Sequence, residues 1–287
     1  MSTPPPVLAA IADWPVERAA AGVTTPTSTV ETVGDASWRT RIASITKILV
    51  SYAGLVAVEE GSLALDDLVS APGPSGATIR HLLAHASGLP FNGTKPISRP
   101  GRRRIYSNTG IEAFGDALAN ATGMPVADYL HQGVCEPLGM TATELRSSPA
   151  WGAVSTVEDL LRFARELLAP TLITGETLAE ATTEQFPGLA GQVPGLGRYD
   201  PNPWGLGFEL KDAKAPHWTA SGGSPRTFGH FGGSGTFLWV DPDAQLACAV
   251  LTDREFGAWA PPLWSALSDE VLATYGPGRD PGGGSRT

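Results

Sequence analysis

The sequence predicts a mixed α/β (α+β) fold in which an antiparallel sheet is assembled from the two ends of the chain and flanked by helices, with an all-helical lobe inserted between. Three observations carry this expectation. Residues Thr27 to Val33 alternate enough to form a strand closed by the Gly34-Asp35 turn, and Thr236 to Val240 and Gln245 to Thr252 are apolar and β-prone on either side of an Asp-Pro-Asp-Ala turn. Between these ends, apolar residues recur at three- and four-residue intervals. Strands near both termini around a helical middle imply a sheet that closes late in the sequence. The expected division is an α/β lobe from residues 1–67 and 150–287 and a helical lobe from residues 68–149.

Taken in order, the elements begin with a short helix near Val7 to Trp14. The most regular helix runs from Ser44 to Glu60, where Ile45, Ile48, Leu49, Tyr52, Leu55 and Val56 fill one broad stripe and Gly61 stands at the stop position. A helix begins at Ile79 to Ala84, and two more, around Ile111 to Leu118 and Val126 to Leu130, are separated by Gly123 and Pro125. Ser155 followed by Glu158 gives a capping-box pattern ahead of Leu160, Leu161, Ala164, Leu167 and Leu168. The Gly- and Pro-rich stretch from Phe186 to Gly207 predicts a long loop, and a last helix is expected at Leu263 to Tyr275. Residues 276–287, without an apolar anchor, are predicted as a disordered tail.

With 287 residues and 42% hydrophobic content, the chain can bury a substantial core. Its formal net charge of -9 argues against nucleic acid or an anionic membrane surface as a partner, since both require clustered Lys and Arg. The first residues lack a basic start, the apolar run Val7 to Ile11 is cut by Asp13, and no stretch reaches the length of a bilayer-spanning helix, so a cytoplasmic location is expected. Cys135 and Cys248 cannot build a disulfide framework and are expected to be small buried hydrophobes.

Three segments carry chemistry. In Ser44-Ile45-Thr46-Lys47 the spacing of three puts a hydroxyl and an amine on one helix face, so a lysine of depressed pKa could take the serine proton. Alone, the pair is more simply a capping serine and a surface lysine. In Tyr106-Ser107-Asn108, after the Arg102-Arg103-Arg104 run, a tyrosine near cations could serve as phenolate base or as acid to a leaving group, and Asn108 could hold a substrate carbonyl. Alone, such a tyrosine packs. Gly229 to Gly235, containing His230, Gly232 and Gly233, precedes the strand at Thr236 and could offer an edge N–H to an oxyanion, or be only a flexible turn.

Together, in this order and spacing, the three segments resemble the active-site motifs of serine beta-lactamases, penicillin-binding proteins and the related esterases. Arg41-Ile42-Ala43, Glu60 to Asp67, Thr78 to Leu89 and Pro137 to Met140 extend the resemblance over most of the chain from Thr27 to Thr252. It implies a cleft between an α/β and a helical lobe where Ser44 is acylated and then freed by water. It also implies Lys47 and Tyr106 as sharers of the base role, Asn108 nearby, and the N–H groups of Ser44 and Gly233 as the oxyanion hole, with no cofactor or metal. The choice of base between Lys47 and Tyr106 stays open.

His230 stands where transpeptidases and many beta-lactamases have lysine. A histidine with an ordinary pKa of about 6.5 is mostly neutral at pH 7, so recognition of a substrate carboxylate should weaken and a small ester or amide becomes the favoured substrate. A beta-lactamase, a D-amino-acid amidase and an acyltransferase are the enzymatic alternatives. A catalytically silent binding module is the rival from another class, which has no need for Ser44, Lys47, Tyr106 and His230 together. His81 and His85 have helical zinc-ligand spacing without the glutamate of a metalloprotease motif, so structural roles are expected. Trp204 and the His217-Trp218 pair could line an acyl pocket or pack in the core, and Arg226 could supply substrate charge. Oligomeric state has no signature in the sequence.

Overall fold

In the computed structural model, residues 6–69 and 74–277 are described. A 3-10 turn (Val7–Asp13) leads into strands β1 (Ala19–Thr24), β2 (Thr29–Val33) and β3 (Thr40–Arg41), then helix α1 (Thr46–Glu59). Helices α2 (Ile79–Leu83), α3 (Asn108–Thr122) and α4 (Val126–Leu130) follow, with a short π turn at His131–Cys135. Strands β4 (Glu144–Leu145) and β5 (Ala153–Ser155) precede helices α5 (Val157–Leu168) and α6 (Gly175–Ala181). The chain ends with strands β6 (Gly191–Val193), β7 (Gly197–Tyr199), β8 (Glu209–Leu210), β9 (Phe228–Gly232), β10 (Thr236–Asp241), β11 (Leu246–Thr252) and helix α7 (Ala260–Tyr275).

The main sheet has the order β2-β1-β11-β10-β9-β8, antiparallel throughout, so N-terminal strands join C-terminal ones as expected. Strand β1 carried no sequence signal, because its Ala-Ala-Ala-Gly-Val-Thr composition has poor strand propensity. Its position between β2 and β11 overrides that preference. Small residues let α5 settle on the sheet: a Cβ on Gly22 would meet Leu161 Cδ1 at 2.6 Å.

Every residue of α1 from Thr46 to Ala57 is buried. The helix is therefore wrapped by protein on all sides and forms the floor on which the site is built. One apolar cluster joins α1, α3, α5 and one face of the sheet, and a second, rich in tryptophan, fills the other face beneath α7.

Two expectations need correction. The N-cap of α5 is Thr156, not Ser155: Thr156 is extended, with φ -124° and ψ 164°, and its hydroxyl accepts the Asp159 N–H at 3.1 Å. Ser155 is already in β5 and meets the Thr143 hydroxyl at 2.7 Å. The stretch from Phe186 to Gly207 is not simply a loop, since β6 and β7 form a hairpin there and Gly191 bridges to Arg104. Both cysteines are buried and unbridged, and burial pushes the Cys135 thiol up to about 12. No helix among the described residues is long and apolar enough to cross a membrane. Most of the expected tail, residues 278–287, lies outside the described residues.

Candidate active site

Ser44 sits half-buried in the 3-10 turn Ala43–Ile45 that opens onto α1. The residue before it, Ala43, has φ 43°, in the left-handed region that alanine rarely adopts, so the hydroxyl is presented by a locally strained backbone. Gly232 makes this possible from the opposite side: a Cβ there would lie 2.4 Å from the Ile42 carbonyl. The turn that carries Ser44 and the edge of β9 could not otherwise pack together.

One helical step on, Lys47 is completely buried. Its Nζ reaches Ser44 Oγ at 3.1 Å, Asn108 Oδ1 at 2.8 Å and the Ala150 carbonyl at 2.7 Å. Burial lowers its pKa to about 7, with Glu112 pulling weakly the other way. Asn108 Oδ1 and the Ala150 carbonyl can only accept, whereas the serine hydroxyl can donate. A neutral Lys47 gives its two protons to the strict acceptors and turns its lone pair to Ser44 Oγ–H.

Tyr106 lies immediately before the N-cap of α3, Ser107, whose hydroxyl accepts the Gly110 N–H. Burial raises the phenol pKa above its ordinary value, against the neighbouring Ser44 hydroxyl, which lowers it. The cation beside this ring is Lys47, whose Nζ stands 4.8 Å from its centroid, rather than the arginine run. Arg102 and Arg103 are exposed. Arg104 is buried and donates to the carbonyls of Ala84, Gln185 and Asn202, tying the segment after α6 to the floor of the site.

His230 on β9 is held in one tautomer. Its Nδ1 lies 2.7 Å from the Phe231 carbonyl, which can only accept, so Nδ1 carries the proton. Nε2, 3.3 Å from the Tyr106 hydroxyl, is therefore the acceptor and Tyr106 the donor. Burial first, and then Lys47, press the imidazole pKa down to about 3, so the ring is neutral across the working range.

Asn108 has both ends of its amide engaged, accepting from Lys47 and donating to Asn92 Oδ1 at 3.2 Å. That arrangement fixes the lysine rather than presenting a free amide to the cleft. A cavity of about 200 Å³ borders Ser44, Tyr106, His230 and Gly233, with Trp204 and Phe256 among its apolar walls. Four of the expected residues thus converge, and Lys47, Asn108 and Gly232 support them from behind.

The two helix-spaced histidines serve separate ends. His81 Nδ1 accepts the Thr78 N–H in the cap of α2, while His85 Nδ1 accepts the Ser107 N–H and its buried ring packs 4.6 Å from Tyr106. Trp204 does wall the cavity, as one of its two expected roles required. Trp218 and His217 instead close on Glu209: Trp218 Nε1 donates to it at 2.7 Å, His217 Nε2 at 3.2 Å, and Lys214 Nζ at 3.0 Å. Burial opposes ionisation of Glu209, but these three partners outweigh it and hold the carboxyl far below the usual range. Arg226 is paired with Asp243 on the exposed surface and does not border the cavity.

The Ala150 carbonyl and the Asn92 amide had no motif to announce them. Phe256 and the β6–β7 hairpin were likewise invisible, since their roles depend on which walls the fold brings to Ser44.

The Beta-lactamase family model matches residues 15–272. The chain belongs to this family. Over 94% of its length it superposes, with a TM-score of 0.92 and 49% sequence identity, on the whole of the crystallised chain described as a beta-lactamase, Mb2281c, from Mycobacterium bovis. Esterase EstB of Burkholderia gladioli is 24% identical over 81% of this chain and 82% of its own. The D-alanyl-D-alanine-carboxypeptidase/endopeptidase AmpH of Escherichia coli is 29% identical, the match spanning 38% of this chain and only 37% of AmpH. Hydrolysis of an ester, a peptide and a beta-lactam are thus all named among the relatives of this Beta-lactamase family member.

Proposed function

We propose that this member of the family is a serine hydrolase that forms an acyl-enzyme on Ser44 and acts on small carboxylic esters, with amides as the neighbouring class. The observation that carries the reading is the buried Lys47, whose two strict acceptors leave its lone pair for the serine proton. Lys47 takes the Ser44 proton as Oγ bonds to the substrate carbonyl carbon, and the N–H groups of Ser44 and Gly233 receive the oxyanion. The C–O bond to the leaving group then breaks, and the departing oxygen takes the Tyr106 proton. Tyr106 recovers a proton from Lys47, which returns the site to its starting charge. Water, relieved of a proton by the same groups, then releases the acid and regenerates Ser44.

A phenol whose pKa is raised is a better acid-and-relay group than a standing phenolate base, which favours Lys47 as the base. The neutral His230 gives no fixed positive charge beside the scissile bond, where a penicillin would present its carboxylate. The test compares hydrolysis of p-nitrophenyl acetate or butyrate with that of a chromogenic cephalosporin. Ester turnover with kcat/KM at least about 100-fold above that for the cephalosporin is expected. Faster cephalosporin cleavage would overturn the ester preference, and turnover of neither would favour a silent binding module.

A further inference from the structure

Beyond the cavity at Ser44 lies a second, larger space. It is a groove of about 960 Å³ that shares Phe91, Tyr106 and the tip of the β6–β7 hairpin with the 200 Å³ cavity but does not include Ser44. Its composition runs against that of the protein. The chain has 29 acidic and 20 basic residues, yet the groove is lined by Arg103, Arg104 and Arg198 and by no Asp or Glu.

The three guanidinium groups are not equivalent. Arg104 is buried and spent on backbone carbonyls. Arg103 is exposed and has no ion-pair partner among the described residues, and Arg198 makes only a long, exposed contact with Asp200 at 3.4 Å. Two cations therefore face the groove with little to neutralise them. The same groove is also lined by Phe91, 48% exposed, and Ile97, 62% exposed, both among the few large hydrophobic side chains left uncovered. An exposed aromatic and aliphatic surface flanked by unsatisfied arginines fits a ligand with an apolar body and an anionic end.

Tyr106 sets the direction. It is the boundary between cavity and groove, and in the reaction proposed above it protonates the departing oxygen. Its hydroxyl stands at His230 Nε2 on the cavity side and the groove continues past its ring, so an alcohol portion too large for the cavity extends past Tyr106 into the groove while a short acyl group stays beside Ser44. The sizes agree, since the cavity accommodates a short apolar acyl chain and the groove a body several times larger.

We infer that the preferred substrate, given the esterase reading on which this rests, is an ester of a short apolar acyl group with a larger aryl or alkyl alcohol that carries an anionic group at its far end, held by Arg103 and Arg198. The anion is read in the groove, away from the neutral His230. The same surface explains why an acidic enzyme can still attract a negative substrate, because the local field at the groove mouth is opposite in sign to the net charge.

Two acetate esters of matched phenolic leaving groups test this: 3-(4-acetoxyphenyl)propanoate, which is anionic, and its neutral methyl ester. At low ionic strength the wild-type enzyme is expected to show a ratio of kcat/KM, anionic over neutral, of about 5 or more. That ratio should fall to about 1 or below in the Arg103→Ala/Arg198→Ala double variant and shrink in 0.5 M NaCl, as screening shortens the reach of exposed charges. A wild-type ratio of 1 or less, or a ratio unchanged by the double substitution, overturns the groove assignment while leaving Ser44-dependent ester hydrolysis intact. Absence of turnover with both esters overturns the esterase reading and this inference with it.

Discussion

Replacing Lys47 with methionine is expected to lower kcat/KM for a short-chain ester by about 1,000-fold, within the span that general-base groups supply. Methionine approximates the volume of the buried stem, so the packing of α1 is disturbed little. What disappears is the one group among the described residues that both touches Ser44 Oγ and exchanges a proton near neutrality. The wild-type pH profile makes the same point independently. Lys47 must be neutral to act, so activity should rise as pH passes upward through about 7 and then level off. His230, with its pKa near 3, remains neutral throughout and contributes no limb there. An acid limb below pH 5, or a Lys47→Met enzyme retaining a tenth of wild-type activity, contradicts the assignment. Stability should follow the same titration. The folded-state pKa of Lys47 lies below the ordinary value of 10.5, so the unfolded chain holds more protons between about 7 and 10.5, and this group's contribution makes stability rise with pH across that window. Lys47→Met should lack that contribution.

Glu209→Ala is expected to destabilise the protein by roughly 3–5 kcal/mol, the cost of leaving a buried partner charge uncompensated. Glu209 and Lys214 are both buried, and the carboxylate also accepts from His217 and Trp218. Without it, the Lys214 ammonium keeps the Pro203 carbonyl, the rings of Trp204 and Tyr199 and the more distant charge of Asp212, but no carboxylate in direct contact among the described residues. Thermal or urea unfolding measures the loss. A Glu209→Ala/Lys214→Met double variant should recover part of it, because the stranded charge goes too. A loss below about 1 kcal/mol would show that the cluster is not an energetic anchor of the sheet edge. Trp204 links the cluster to the site, lying 5.5 Å from Lys214 Nζ and also walling the cavity at Ser44.

The legible parts of the molecule were those where one local rule dominates. Helix α1 was legible because its apolar stripe is continuous, and the β10–β11 hairpin because a polar turn separates two apolar runs. Strand β1 was hidden by its alanines, which become a strand only because β2 and β11 pair with both edges and α5 needs small residues beneath it. The same limit applied to chemistry. Ser44, Lys47, Tyr106 and His230 stood out from motif spacing, but which proton belongs where depends on long-range contacts. The Ala150 carbonyl is 103 residues from Lys47 in sequence, and Tyr106 meets His230 across 124. Arg104 misled in the opposite way: as one of three adjacent arginines it promised a cation for Tyr106, whereas burial commits it to four backbone carbonyls, those of Ala84, Gln185, Phe186 and Asn202.

The most direct test of Ser44 as the acylated nucleophile is intact-protein mass spectrometry after exposure to a serine-directed fluorophosphonate, on wild type and Ser44→Ala side by side with circular dichroism of both. One adduct on the wild type, mapped to the peptide holding Ser44, and none on a fully folded Ser44→Ala protein is the expected result. An adduct of equal yield on the folded Ser44→Ala protein would place the nucleophile elsewhere and contradict the account.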